Sequence, residues 1–143
     1  MGNFRFFSLC CYTCDSEKIK RFMKDIILVF TGGGLGSMFR YLLNSLPYLN
    51  IYKYPITTSL SNIFGCLILG LLMGHLIKNN QVNSSTTFFF GTGFCGGLTT
   101  FSAFAYENIE LLKDGQYITS FAYTFISILI GFLSIYIGLQ LAK

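Results

Sequence analysis

Apolar residues run along this chain in four long blocks, roughly Lys24 to Leu46, Ile56 to Ile77, Thr86 to Tyr106 and Tyr117 to Leu141. Each is close to the ~20 residues an α-helix needs to cross a ~30 Å hydrocarbon core. The polar breaks between them, Pro47 to Pro55, Lys78 to Ser85 and Glu107 to Gln116, leave little for a soluble domain. The pattern predicts an all-α integral membrane unit over 24–143, with spans at 24–46, 56–77, 86–106 and 117–141, preceded by a tail over 1–23. The third block differs from the others. Gly91, Gly93, Gly96 and Gly97 fall inside it, and each glycine lowers helix propensity by about 1 kcal/mol relative to alanine. The third helix is therefore expected to break at this Gly-rich and Thr segment. Irregular backbone persists at membrane depth only where protein buries it or a polar cavity receives it, so the break points to an ion or solute site. Carbonyls freed at such a break suit a cation, and N–H groups at the start of the next half-helix suit an anion. Thr99 and Thr100 add hydroxyls and a cap for that half-helix.

Composition agrees with the pattern: 52% hydrophobic and 11% charged residues over 143 positions are too apolar a mixture for an ordinary soluble domain. An enzyme has little to work with, since His75 is the single histidine, the one Asp within a span, Asp25, stands at its very edge, and no nucleophile arrangement is present. The expected setting is the lipid bilayer of the cell membrane, inner or plasma, crossed several times, with no nucleic-acid partner. The tail carries Arg5, Lys18, Lys20 and Arg21 among aromatics, and its apolar run Phe6 to Cys11 is too short to span. A charged stretch and a full-length span follow where the cleavage site of a signal peptide would lie. Phe6 stands where a myristoylation signal has Ser or Thr. Cys10, Cys11 and Cys14 contain one Cys-x-x-Cys without a second pair, which reads as reduced thiols on a cytoplasmic tail, with metal binding or lipid attachment as the alternatives. Cytoplasmic loops gather Lys and Arg. The tail, Lys78 and Lys143 outweigh Lys53 and Lys113 and favour cytoplasmic termini, yet without the tail the bias nearly vanishes and insertion in both orientations stays open.

Individual residues offer two readings each. Gly32 and Gly36 share a helix face, which lets helices touch. Arg40, near the end of its span, is either an interfacial anchor or a vestibule charge that attracts anions. Asn62 either hydrogen-bonds a neighbouring helix or offers its amide protons to an anion in place of water. Phe101 and Phe104, three apart, share a face of the restarting half-helix; they pack against lipid or protein, or present ring edges, which carry the positive part of the aromatic quadrupole, to a small anion. Ser120, Tyr123, Thr124 and Ser127 form a hydroxyl stripe that either bonds locally or lines a passage. Glu107 reads as a structural acid at the end of the third span, His75 as interfacial, and Cys66 and Cys95 as small packing residues.

From about residue 26 onward the chain resembles the small fluoride ion channels called Fluc or CrcB proteins. The resemblance rests on Gly32-Gly33-x-x-Gly36-x-x-x-Arg40-Tyr41, on Asn62-x-x-Gly65, and on Gly96-Gly97-Leu98-Thr99-Thr100-Phe101-Ser102-Ala103-Phe104 followed by Glu107. It implies passive efflux of fluoride through an antiparallel, dual-topology homodimer with two pathways, and a structural sodium ion at the dimer interface. Asn62, Phe101 and Phe104 match the family's pathway residues, Tyr123 and Ser127 match the tyrosine and serine of its last helix, and Gly96 and Thr99 match the positions whose backbone carbonyls hold sodium. Ala103 and Ser61 depart from the usual residues without removing a principal ligand type. The basic tail lies outside the family core and favours one orientation, so a heterodimer with a paralogue of opposite topology is the alternative assembly. Two other functions fit four spans: a proton-coupled small multidrug exporter, which needs a titratable group at membrane depth, and a non-transporting scaffold.

Overall fold

The computed structural model describes residues 16–46, 56–82 and 84–142. Among the described residues there are helices and turns and no strand. Helix α1 covers Ser16–Asn44 and α2 covers Ile56–Lys78. The third span opens as a π-helix, Thr87–Cys95, tightens into the short α3, Gly96–Leu98, and restarts as α4, Phe101–Lys113. Helix α5, Tyr117–Leu141, completes the order. Four stretches are long and apolar enough to cross a membrane: Glu17–Asn44, Ile56–Lys78, Thr87–Lys113 and Tyr117–Leu141. The protein is thus an all-α, multi-pass membrane protein, as its hydrophobic pattern predicts. The cysteines at 10, 11 and 14 and the expected break Pro47 to Pro55 lie outside the described residues.

Two boundaries move, for one reason. α1 begins at Ser16, ahead of the apolar run at Lys24, and the third span continues to Lys113, past the expected Tyr106. Hydropathy marks where lipid ends, whereas Glu, Lys and Arg are good helix formers that carry a helix on into water. Glu107 consequently sits inside α4 and not at the end of the span.

The dominant packings are α1 against the π-helix and α2 against α5. Both are backbone-to-backbone contacts made by glycine. A Cβ on Gly32 would strike the Phe89 carbonyl, and one on Gly36 the Phe94 carbonyl. The glycine face of α1 is therefore where the third span docks. Between α2 and α5, a Cβ on Gly70 would strike the Ile135 carbonyl, and Gly138 lies as close to Leu67 and Leu71. Lipid tails are as apolar as leucine, so helices associate in a membrane by such close packing and not by the hydrophobic effect. In keeping with this, the buried apolar side chains among the described residues are few: Leu76, Cys95, Leu98 and Leu111.

The interruption of the third span falls within the expected Gly-rich and Thr segment, at its threonines Thr99 and Thr100 and not at its glycines. Gly91, Gly93, Gly96 and Gly97 are all helical, while Thr99 (φ −78°, ψ 152°) and Thr100 (φ −149°, ψ 118°) are extended. Glycine weakens a helix through backbone entropy and exposure to water. Here the backbone at Gly93 and Gly97 is covered by Gly32 and Gly33 of α1, so contact offsets the lost propensity. Thr100 leaves the helix because another residue offers its backbone a partner.

Candidate functional site

That partner is Asn62. The Thr100 N–H donates to Asn62 Oδ1 at 2.8 Å, and Asn62 Nδ2 donates to the Thr100 carbonyl at 3.4 Å. One side-chain amide thus supplies both a donor and an acceptor to a residue that is only 8% exposed, and the extended geometry is satisfied where water is scarce. The neighbouring-helix bond expected of an intramembrane asparagine is therefore made, and the amide still carries a second proton. Thr100 also caps α4, its Oγ1 accepting from the Ala103 N–H at 3.3 Å. The capping expected of this threonine pair falls to Thr100 alone, since Thr99 Oγ1 donates to the Cys95 carbonyl at 2.9 Å.

Beside the break, Asn62, Phe101, Phe104, Tyr123 and Ser127 all line one open groove of about 530 Å³. α2 contributes the amide, the first turn of α4 the two rings, and α5 a phenol and a hydroxyl one turn apart. Phe101 and Phe104 lie 5.9 Å apart between centroids and are tilted by 42°; Phe104 lies 5.0 Å from Tyr123 at 54°. Rings set at these angles expose positive rims as well as negative faces. Phe101 is 78% exposed, so one wall of the groove is open in a single chain.

Behind the rings lies a polar network. Glu107 accepts hydrogen bonds from Tyr123 Oη at 2.9 Å and from the Thr58 hydroxyl, on α5 and α2 respectively. Asn108 Oδ1 accepts from Ser120 Oγ at 2.8 Å and Thr124 Oγ1 at 2.9 Å, while its Nδ2 donates to the Phe104 carbonyl at 2.9 Å. The hydroxyl stripe of α5 therefore divides: Ser120 and Thr124 join α5 to α4, whereas Tyr123 and Ser127 line the groove. Sequence reasoning gives Asn108 no part. Its signal was available, since an amide follows Glu107 once the span is extended beyond Tyr106.

Gly96 and Thr99 line a second hollow of about 260 Å³ together with Asn62, Cys66 and Cys95. Gly96 is exposed, and a Cβ there would meet nothing within 4 Å. Because the Thr100 N–H turns to Asn62, the Gly96 carbonyl loses the partner that a continuing helix would provide. No cluster of three His, Cys, Asp or Glu able to hold a metal occurs among the described residues. The donors on offer here are backbone oxygens, which suit a hard cation. Arg40 is half-buried, one turn before the end of α1, and does not line the groove. Cys95 is buried, as expected of a packing residue, while Cys66 is partly exposed at the groove wall.

A four-span helical membrane protein with an interrupted span beside a groove of amide, hydroxyl and aromatic rims belongs to the class of small polytopic transport proteins. The family described as CrcB-like protein, Camphor Resistance (CrcB), matches residues 27–139, and the chain belongs to this family. The fluoride-specific ion channel FluC of Flavobacterium psychrophilum is 44% identical to it over 124 residues, 85% of this chain and 98% of that protein. The FluC of Gloeothece citriformis is 45% identical over 125 residues with the same shares, and that of Pyrococcus abyssi 39% over 122.

Proposed function

We propose that the protein is a fluoride-selective channel that passes the ion passively and lowers cytoplasmic fluoride accumulated by entry of the neutral acid. The observation that carries this is the convergence of Asn62, Phe101, Phe104, Tyr123 and Ser127, drawn from three elements, on one groove at the helix break. Fluoride holds its water tightly. The groove offers an amide N–H, the Ser127 hydroxyl and polarised C–H rims in exchange, while Tyr123, its proton given to Glu107, shapes the wall; selectivity follows from a bore that strips a small anion and has no room for a larger one. Arg40 serves as a vestibule charge or an interfacial anchor.

The assembly that suits this reading is an antiparallel homodimer, because a second copy set against Phe101 closes the wall that one chain leaves open. Sodium fits the donor set at the break. The carbonyls of Gly96 and Thr99 would hold it, and two per chain are too few for a cation's shell until a second copy adds its own. When bound, the ion supplies rigidity and positive potential beside the pathway. The basic tail supports a second assembly, a heterodimer with a paralogue of opposite topology.

Glu107, within α4 and just past the apolar run of the third span, is the carboxylate nearest to what the multidrug-exporter reading needs. Both carboxylate oxygens, however, already accept hydroxyl bonds from Thr58 and Tyr123. Liposome flux separates the possibilities. Purified protein should release fluoride without a proton gradient and exclude competing chloride. Drug exchange driven by a gradient points to the exporter, and absence of both fluxes from correctly assembled protein points to a scaffold.

A further inference from the structure

Helix α1 is 29 residues long, against the ~20 that cross the hydrocarbon. The excess precedes Ile26, where its unbroken apolar run begins, and the helix continues through that point without interruption. The extension therefore leaves the membrane as a rigid rod. With successive residues about 100° apart around the axis, Lys20, Arg21 and Lys24 fall within one arc of about 100°, and Ile19, Phe22, Met23 and Ile26 within a similar arc on the opposite side. Every residue from Glu17 to Lys24 is exposed. At 1.5 Å of rise per residue, Lys24, Arg21 and Lys20 stand about 3, 7.5 and 9 Å beyond Ile26. The polar layer of a bilayer is roughly 5–7 Å deep on each side, so these cations lie at the level of the phospholipid phosphates or just outside it, within reach of their flexible side chains. Glu17 shares the basic arc and pairs with Lys20 at 3.2 Å, both side chains largely exposed; Asp25 and Lys18 lie together just beyond the arc's edge and offset each other, so Arg21 and Lys24 leave the arc positive. The segment also precedes the residues matched by the family, which begin at 27.

We propose that Lys20, Arg21 and Lys24 form a cationic collar that binds anionic phospholipid headgroups in the leaflet from which α1 emerges. Charge complementarity and depth select this occupant: the collar stands at the height of the phosphates, which are the anionic groups found at that level. Each basic residue near an anionic surface is worth about fivefold in binding, the equivalent of ~1 kcal/mol.

Native mass spectrometry of the full-length protein with added phosphatidylglycerol or phosphatidylcholine tests the collar. Phosphatidylglycerol should bind at least about fivefold better, and about 0.5 M salt should remove most of that preference by screening. The variant K20Q/R21Q/K24Q should lose the preference, and the charge-conserving K20R/K24R should keep it. As a control for charge elsewhere, K113Q should also keep it. Equal binding of the two lipids by the wild type, or an unchanged preference in the glutamine variant, would overturn the proposal. Should the glutamine variant fail to fold, the wild-type lipid comparison, its salt dependence and the arginine variant still decide the matter.

Discussion

Asn62 carries more than one duty at the residue scale. It holds Thr100 in an extended conformation through two hydrogen bonds and also faces the groove. Asn62→Ala should therefore lower both stability and flux: a buried N–H left without a partner costs about 1–3 kcal/mol, visible as a fall in the unfolding midpoint of the purified protein. Phe101→Ile should behave differently. Its ring is largely outside the single-chain fold, so flux measured with a fluoride electrode should drop while the oligomer, followed by size-exclusion chromatography, is retained. If flux is unchanged in both variants, these residues are not on the pathway. The Glu107 and Asn108 pair shows how adjacent polar residues on one helix serve two neighbours, α2 with α5 through the acid and α5 alone through the amide.

Among the elements, the third span is set by what packs on each half. Its first half is clamped to α1 at a glycine face, and its second half is tied to α2 and α5 by polar side chains. The clamp gives a sharp contrast between near neighbours. Gly32→Ala places a methyl group on the Phe89 carbonyl and should destabilise by about 1–3 kcal/mol, as overpacking does. Gly34→Ala, whose Cβ meets nothing within 4 Å, should be neutral or gain up to about 1 kcal/mol of helix propensity. Thermal unfolding in detergent of the two variants side by side checks this, and equal effects would argue against the docking of α1 on the π-helix.

For the whole molecule, one chain presents an open groove and an exposed Phe101, and the proposed sodium site would draw only two carbonyls, those of Gly96 and Thr99, from it. The proposed antiparallel pair answers all three together. Light scattering of the detergent-solubilised protein should then give the mass of two chains. Replacing sodium with N-methylglucamine during purification and assay should lower fluoride efflux severalfold and lower the unfolding midpoint. A monomer that conducts at full rate, or a dimer indifferent to sodium, would remove the corresponding part of the assembly.

Span number and the glycine face of α1 were legible in the chain itself, because each depends on local quantities: transfer of apolar side chains to lipid, helical spacing, and the absence of a Cβ. Asn62, Phe101, Phe104, Tyr123 and Ser127 each kept two readings, between which only the family resemblance chose. The position of the break was legible as the Gly-rich and Thr segment; that its threonines and not its glycines leave the helix was not. It depends on Asn62 meeting Thr100 across 38 residues, an exchange of hydrogen bonds that no local propensity contains, whereas at Gly93 and Gly97 contact with α1 offsets the lost propensity. The network of Thr58, Glu107, Tyr123 and Asn108 likewise arises only when three helices converge. Residue order determined which surfaces must seek lipid and which must touch. Tertiary structure decided which polar groups find each other, since inside a membrane an unsatisfied partner is too costly to leave to chance.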